Sequence, residues 1–211
     1  MKPSFGCRAI PVLQRTGTVS VRNDYELRRK LKEITDKYRG DTVGKQIKLI
    51  MELSKQHPHS ITLRREAIPS DRSTFAFNCF MYAFDMLDSS EVETIRHRYP
   101  FTLNIFPGSG FVDFLLNTAV MQERRENAKD GDVILYRDSA KITHAGKIIS
   151  GRIESKWAGG HLWEHDILEV PIDYGDELKF VTGIKRNLCI SSFFEYAKLK
   201  GADESLCKFR N

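Results

Sequence analysis

The spacing of apolar residues changes near Asp130, and this change limits the folds that the chain can adopt. Before Asp130, apolar residues recur every three or four positions, which is typical of amphipathic helices. After it, short apolar runs alternate with turn residues such as Ser150 and Gly151, which indicates closely spaced strands. Helices followed by strands on short turns predict an α+β domain with an antiparallel sheet.

Start and stop signals place the individual elements. The predicted helices are 23–38, 42–56, 78–88, 90–98, 111–122 and 190–200. The predicted strands are 132–137, 142–150, 152–159, 168–172 and 178–186. The segment 78–88 is apolar on almost all sides, so we expect its helix to be buried.

Positive charge is concentrated in the first third of the chain. Residues 1–72 hold 16 Lys and Arg against 8 Asp and Glu, whereas 73–211 hold 17 against 20. We therefore predict a basic, mainly helical N-terminal extension at 1–72 and a second unit at 73–211. The basic helices could meet an anionic partner or only present a solvated face. The lack of aromatic residues among the basic ones disfavours nucleic acid.

The cysteine pattern and the hydropathy restrict the setting of the protein. The four cysteines, Cys7, Cys79, Cys189 and Cys207, are far apart, which disfavours zinc sites and disulfide scaffolds. No apolar run approaches the roughly 18 residues of a membrane span. The first residues also lack the apolar core of a signal peptide. We expect a cytoplasmic protein, and delivery as a toxin by a specialised route stays open.

Two residues suggest nucleophilic chemistry. Cys79 follows Asn78 at the predicted start of a buried helix, where the dipole and free N–H groups stabilise a thiolate. The thiolate is the nucleophilic form of cysteine. His144 lies in a strand after Gly131 and Asp132 and could take the thiol proton as a base. Either residue alone fits core packing as well, but their order along the chain favours a catalytic pair.

Three segments resemble the NlpC/P60 superfamily of papain-like cysteine hydrolases. They are NCFMYA at 78–83, GDVILY at 131–136 and THAGKII at 143–149. The superfamily pattern is an acidic or amide residue before a helix-starting Cys, then a Gly-Asp strand, then a strand with His, a small residue and Gly. The resemblance covers about residues 75–175. It implies a papain-like core, in which a Cys-bearing helix packs on an antiparallel sheet, within an NlpC/P60-like catalytic domain at 73–211.

The resemblance also implies the site residues. Cys79 would be the nucleophile and His144 the base, and a third polar residue on the next strand would orient the base. Alignment puts Lys156 at the third position, although a charged Lys cannot accept a hydrogen bond. Glu154 shares the strand face of Lys156 and is a better acceptor, so both stay candidates.

The residues around the predicted hairpin are candidates for substrate contact. These are Asn78, beside the nucleophile, and Trp157 and His161, in an aromatic and polar cluster that could wall a cleft or pack on the sheet. His161 and His165 are four residues apart, but Gly160 disfavours the helix that would let both bind one metal. We therefore expect no metal and no other cofactor.

The predicted function is a cysteine hydrolase, either a peptidase or an amidase. Its substrate would be a peptide, a protein or another amide, cleaved through a thioester acyl-enzyme. An acyltransferase on the same site is one alternative. The other is a non-catalytic binding module that uses the basic helices at 23–56.

Overall fold

The computed structural model describes residues 24–39, 42–57, 60–65, 77–87, 89–99, 105–125, 128–158 and 160–207. The first 23 residues, which include Cys7, lie outside this description. The described helices are α1 (Tyr25–Lys37), α2 (Val43–Gln56), α3 (Cys79–Ala83), α4 (Ser90–Arg98), α5 (Ser109–Asn117) and α6 (Arg186–Leu199). The described strands are β1 (Ile61–Arg65), β2 (Val133–Asp138), β3 (Lys141–Ile149), β4 (Arg152–Lys156), β5 (Leu162–His165) and β6 (Glu177–Val181).

The six strands form one antiparallel sheet in the order β1-β5-β4-β3-β2-β6. This confirms the predicted α+β class. The predicted strand at 168–172 is wrong, because this segment is irregular and leads into a short 3-10 helix at Ile172–Tyr174. Pro171 has no N–H for a strand ladder. The strand in this part of the chain is β5, which follows the turn at Gly160 and pairs antiparallel with β4.

Helix α3 is shorter than the predicted segment 78–88. The chain leaves the helix at Phe84, and Asp85 adopts a left-handed conformation with a φ of 54°. The Met86 N–H then donates to the Met81 carbonyl over 2.9 Å, which closes the last turn as in a Schellman motif.

Each face of the sheet is covered by a different set of helices. The front face carries Leu135 and Ala145, which pack in one core with α3, α4, α5 and α6. The back face carries Tyr136 and Trp163, which pack in a second core with α1 and α2. The two cores follow the alternation of side chains along each strand.

The described part of the predicted N-terminal extension packs on this same sheet. Strand β1 pairs with β5 at one edge, and α1 is held by the buried Arg28. The Arg28 guanidinium donates to the carbonyls of Val170 and Gly175 over 3.3 and 2.9 Å. It also pairs with Asp176.

Several basic side chains on the exposed face of α1 are neutralised locally. Arg29 pairs with Glu26 and Glu33, and Lys32 pairs with Asp36. These ion pairs concern α1, and the binding module on the helices at 23–56 stays a prediction. Within the described residues, no helix is long and apolar enough to cross a membrane.

Candidate active site

Cys79 is the first residue of α3, and Asn78 fixes the start of this helix. The Asn78 Oδ1 accepts a hydrogen bond from the Met81 N–H over 2.8 Å, as an N-cap should. The Asn78 Nδ2 donates to the carbonyl of Pro107 over 2.6 Å, which ties the helix start to the loop before α5. Asn78 was predicted to contact substrate, and the structure places its side-chain amide in these two bonds.

The thiol lies where β3 and β4 separate. These strands pair from Ile149 and Arg152 to Lys147 and Glu154, and the rest of β4 pairs with β5. Beyond that point the Ala145 N–H donates to the Cys79 thiol. The N-terminal end of α3, which carries Cys79, thus lies where a longer β3–β4 ladder would otherwise continue.

Opposing effects act on the ionisation of Cys79. Burial raises the pKa of the thiol to about 11. The backbone N–H groups of Ala145, Phe80 and Cys79 itself lower the pKa, as does the charge of Lys156. Donors of this kind can also stabilise the oxyanion that develops on the oxygen of a carbonyl group attacked by the sulfur.

Lys156 is the titratable side chain that accompanies Cys79 on the front face. It is only 1% exposed, and its Nζ lies 4.0 Å from the centroid of the Phe77 ring. Burial lowers the pKa of Lys156 to about 8, while Cys79 raises it and Arg65 lowers it further. A lysine with a pKa near 8 can act as a base near neutral pH.

Glu154, the other candidate for the third position, is engaged elsewhere. Its carboxylate accepts a hydrogen bond from the Tyr82 hydroxyl and pairs with Arg64 over 3.0 Å. Burial, followed by the hydrogen bond to Glu154, raises the pKa of Tyr82. Glu154 therefore stabilises the front face beside α3, and no contact joins it to His144 within the described residues.

His144 lies on the back face of the sheet. A bulge at Thr143 shifts the β2–β3 register, so that His144 pairs with Tyr136. The His144 ring stacks on Tyr174 with 3.9 Å between centroids. Burial holds the pKa of His144 well below its usual range. The His144 Nε2 is buried and has no hydrogen-bond partner among the described residues. Within the same residues, no hydrogen bond joins the His144 ring to the Cys79 thiol.

The register explains this placement. If β2 and β3 paired outward from the turn at Ser139 and Ala140 without a bulge, His144 would lie opposite Leu135, on the front face with Cys79. The extra residue at Thr143 puts Ala145 opposite Leu135 instead. Because side chains alternate with a period of two, a shift of one residue moves His144 to the other face.

Trp157 and His161, the other predicted substrate contacts, lie in the back core. Trp157 has no exposed surface and stacks on Trp163 with 5.5 Å between ring centroids. The His161 Nε2 lies 3.0 Å from the carbonyl of Val43, to which it must donate. This bond fastens the turn after β4 to the start of α2.

A buried polar chain accompanies these residues. The Trp157 Nε1–H donates to the Ser155 Oγ over 2.9 Å, and Ser155 and the His165 Nε2 are 2.8 Å apart. The His165 Nδ1 lies 2.8 Å from the carbonyl of Asp166, so it must donate and the Nε2 must accept from Ser155. Burial lowers the pKa of His165 to about 3, which keeps the ring neutral.

Tyr174 is a site residue that sequence reasoning missed. Its ring stacks on His144, and its hydroxyl accepts a hydrogen bond from the Ala158 N–H over 2.9 Å. Burial raises the pKa of Tyr174, and a negative charge on Cys79 raises it further. Tyr174 thus contacts His144 and is near enough to Cys79 for the charge of the thiolate to act on its pKa. No local sequence signal marks it, because it comes from a loop distant in sequence from both.

The structure therefore brings Cys79, Asn78 and Lys156 together on the front face and leaves His144, Trp157 and His161 on the back. Among the described residues, no three His, Cys, Asp or Glu side chains are grouped as metal ligands would be.

No family model, curated protein sequence or solved structure matches this chain significantly.

Proposed function

We propose that this protein is a cysteine hydrolase of amide bonds, with Cys79 as the nucleophile and Lys156 as its base. The resemblance to NlpC/P60 hydrolases supports Cys79 as the nucleophile. From the same resemblance we also propose a papain-like core. The observation that carries the proposed chemistry is the burial of Lys156 next to Cys79, which lowers the pKa of the amine to about 8.

The reaction follows from the chemistry of this pair. The neutral amine of Lys156 takes the proton of the Cys79 thiol as the sulfur attacks the amide carbonyl. Backbone N–H groups near the sulfur, including that of Ala145, stabilise the tetrahedral oxyanion. The Lys156 ammonium then protonates the leaving amine, and a thioester forms. Water attacks the thioester, Lys156 takes its proton, and the acid product leaves while the thiol is restored.

Selective alkylation tests the nucleophile. In a C7S background, we expect iodoacetamide at pH 8 to modify Cys79 at least about tenfold faster than Cys189 or Cys207. Cys79 is partly exposed and has a base beside it that offsets its raised pKa, whereas Cys189 is fully buried and burial raises its pKa to about 12. Cys207 is 4% exposed. Peptide mass mapping over time gives the three rates, and equal rates would remove Cys79 as a nucleophile.

His144 remains a second candidate for the base. The specific observation in its favour is the buried Nε2, which has no hydrogen-bond partner in the described part of the chain and is therefore costly unless it has a use. For this role, His144 would have to reach the thiol from the opposite face of the sheet, which requires a change in the β2–β3 register.

Replacing His144 by Phe separates the two candidates. We expect H144F to unfold at the same or a higher denaturant concentration, because an apolar ring over Tyr174 replaces one whose buried Nε2 has no partner among the residues that the structure describes. With Lys156 as the base, the alkylation rate of Cys79 stays within about threefold of wild type. A fall of about 100-fold in a stable H144F would make His144 the base instead.

A further inference from the structure

Helix α3 and strand β4 are joined by two pairs of side chains. Cys79 and Tyr82 are three residues apart on α3, a spacing that puts both on one side of the helix. Glu154 and Lys156 are two residues apart on β4, so both lie on one face of the strand. Cys79 is near enough to Lys156 for each to act on the pKa of the other. One turn along the helix, the Tyr82 hydroxyl donates a hydrogen bond to the Glu154 carboxylate.

The carboxylate of Glu154 is held in place from the side of the sheet. Its Oε2 accepts from Tyr82, and its Oε1 lies 3.0 Å from the Nε of Arg64 on β1. Arg64 also pairs with Glu164 on β5, so its guanidinium is fixed between two carboxylates. Glu154 is buried, and a hydrogen bond to a carboxylate is stronger than one between neutral groups. The sheet therefore offers the Tyr82 hydroxyl a fixed acceptor.

The position of α3 depends on directional contacts, because this helix is only five residues long. Cys79 and Tyr82 are its polar side chains. The other three pack in the core of the front face and are Phe80, Met81 and Ala83. Apolar burial has little directional preference, whereas a hydrogen bond weakens steeply as its angle changes. Asn78 caps the helix start, and the Tyr82 hydroxyl adds a directional contact at the other end.

We infer that Tyr82 and Glu154 are positioning residues for the Cys79 thiol. Their hydrogen bond sets the rotation of α3 and so holds the sulfur within reach of the Lys156 amine. In this role neither side chain contacts the reacting atoms. A rotation of about 15° moves an atom about 4 Å from the helix axis by about 1 Å, and a misplacement of this size can slow a reaction about 100-fold. The inference rests on the proposed function, since it concerns the same thiol and amine.

Replacement of Tyr82 by Phe removes the hydroxyl and keeps the ring. The readout is the rate of iodoacetamide modification of Cys79 between pH 6 and 10, in the C7S background. In this profile, titration of Lys156 produces a step near pH 8. We expect Y82F to lower the height of the step about tenfold, because the amine reaches the thiol proton less often. E154A removes the acceptor and should act to the same extent. The double variant should be no slower than either single one, since all three lack the same bond.

Two controls separate positioning from stability and from charge. The Tyr136 Oη donates to the Ile167 carbonyl over 2.8 Å on the back face. Y136F therefore also removes a buried hydroxyl and should lower the unfolding temperature, but it should keep the step. E154Q retains an oxygen that can accept from Tyr82 and loses the charge, so it should keep the step height within about threefold. Circular dichroism checks that each variant is folded at the assay temperature.

The outcomes separate this inference from the proposed function. A step of full height in folded Y82F would overturn the positioning role and leave Lys156 as the base. An equal loss in Y82F and Y136F would assign the effect to stability, and an equal loss in E154Q and E154A would assign it to charge. Either result would also overturn the positioning role. Absence of the step from the protein with Tyr82 and Glu154 intact would overturn the proposed base and, with it, this inference.

Discussion

Replacement of Lys156 by Met is expected to slow the alkylation of Cys79 at pH 8 by about 100-fold. Burial lowers the pKa of Lys156 to about 8, so the neutral amine becomes available as pH rises through this value. The wild-type rate should therefore rise through about pH 8. In K156M the rise should move toward the pKa of the thiol itself, which burial raises to about 11. The rate of iodoacetamide labelling between pH 6 and 10 gives the wild-type step and shows whether the K156M rate is still rising at pH 10.

K156R is the control that separates the role of Lys156 as a base from the effect of its positive charge. A guanidinium stays protonated across this range, so it can stabilise the Cys79 thiolate but cannot accept the thiol proton. We expect K156R to remove the step near pH 8 while keeping part of the rate at pH 7. A step that persists in K156M or K156R would show that another group titrates there.

The folded state of these variants is not expected to suffer. Met has about the volume of Lys, so K156M keeps the packing at this buried position, and K156R keeps the positive charge. Thermal unfolding of K156M, K156R and wild type checks this point, so that a loss of reactivity can be read as a change at the site.

Replacement of Trp157 by Ala is expected to lower the free energy of unfolding by about 3 to 5 kcal/mol. The indole is fully buried against Trp163, and its N–H is the first donor in the chain that runs through Ser155 to His165. The variant leaves a cavity and removes that donor. For a chain of this size, the midpoint of thermal unfolding should fall by about 10 °C. Urea unfolding and calorimetry measure the two quantities.

Y25A is the matched control for this prediction, since it also removes a large aromatic side chain. Tyr25 is 65% exposed on α1, so its removal should change stability by less than about 0.5 kcal/mol. A loss of under 1 kcal/mol in W157A would contradict the placement of Trp157 in the back core. It would return this residue to the substrate cleft that the sequence suggested.

Local sequence signals identified much of the fold and part of the candidate site. Helices α1 and α4 begin at caps within their own segments, Asp24 and Ser89, whereas α2 was predicted from its apolar stripe, since Thr42 makes no side-chain cap bond. The two-residue turn at Ser139 and Ala140 has positive φ at both positions, which suits a tight hairpin between β2 and β3. The position of Cys79 at a helix start was also readable, because Asn78 is a cap that acts on its own helix.

The sequence by itself determined the α+β order and the nucleophile candidate, since periodicity and capping are local properties. Only the tertiary structure decided which groups meet that nucleophile. The separation of β3 from β4 opens the place for Cys79 beside Lys156, and the bulge at Thr143 turns His144 to the opposite face. Both features depend on strand register, which distant pairing partners set. With a side-chain period of two, a shift of one residue is enough to change the composition of the site.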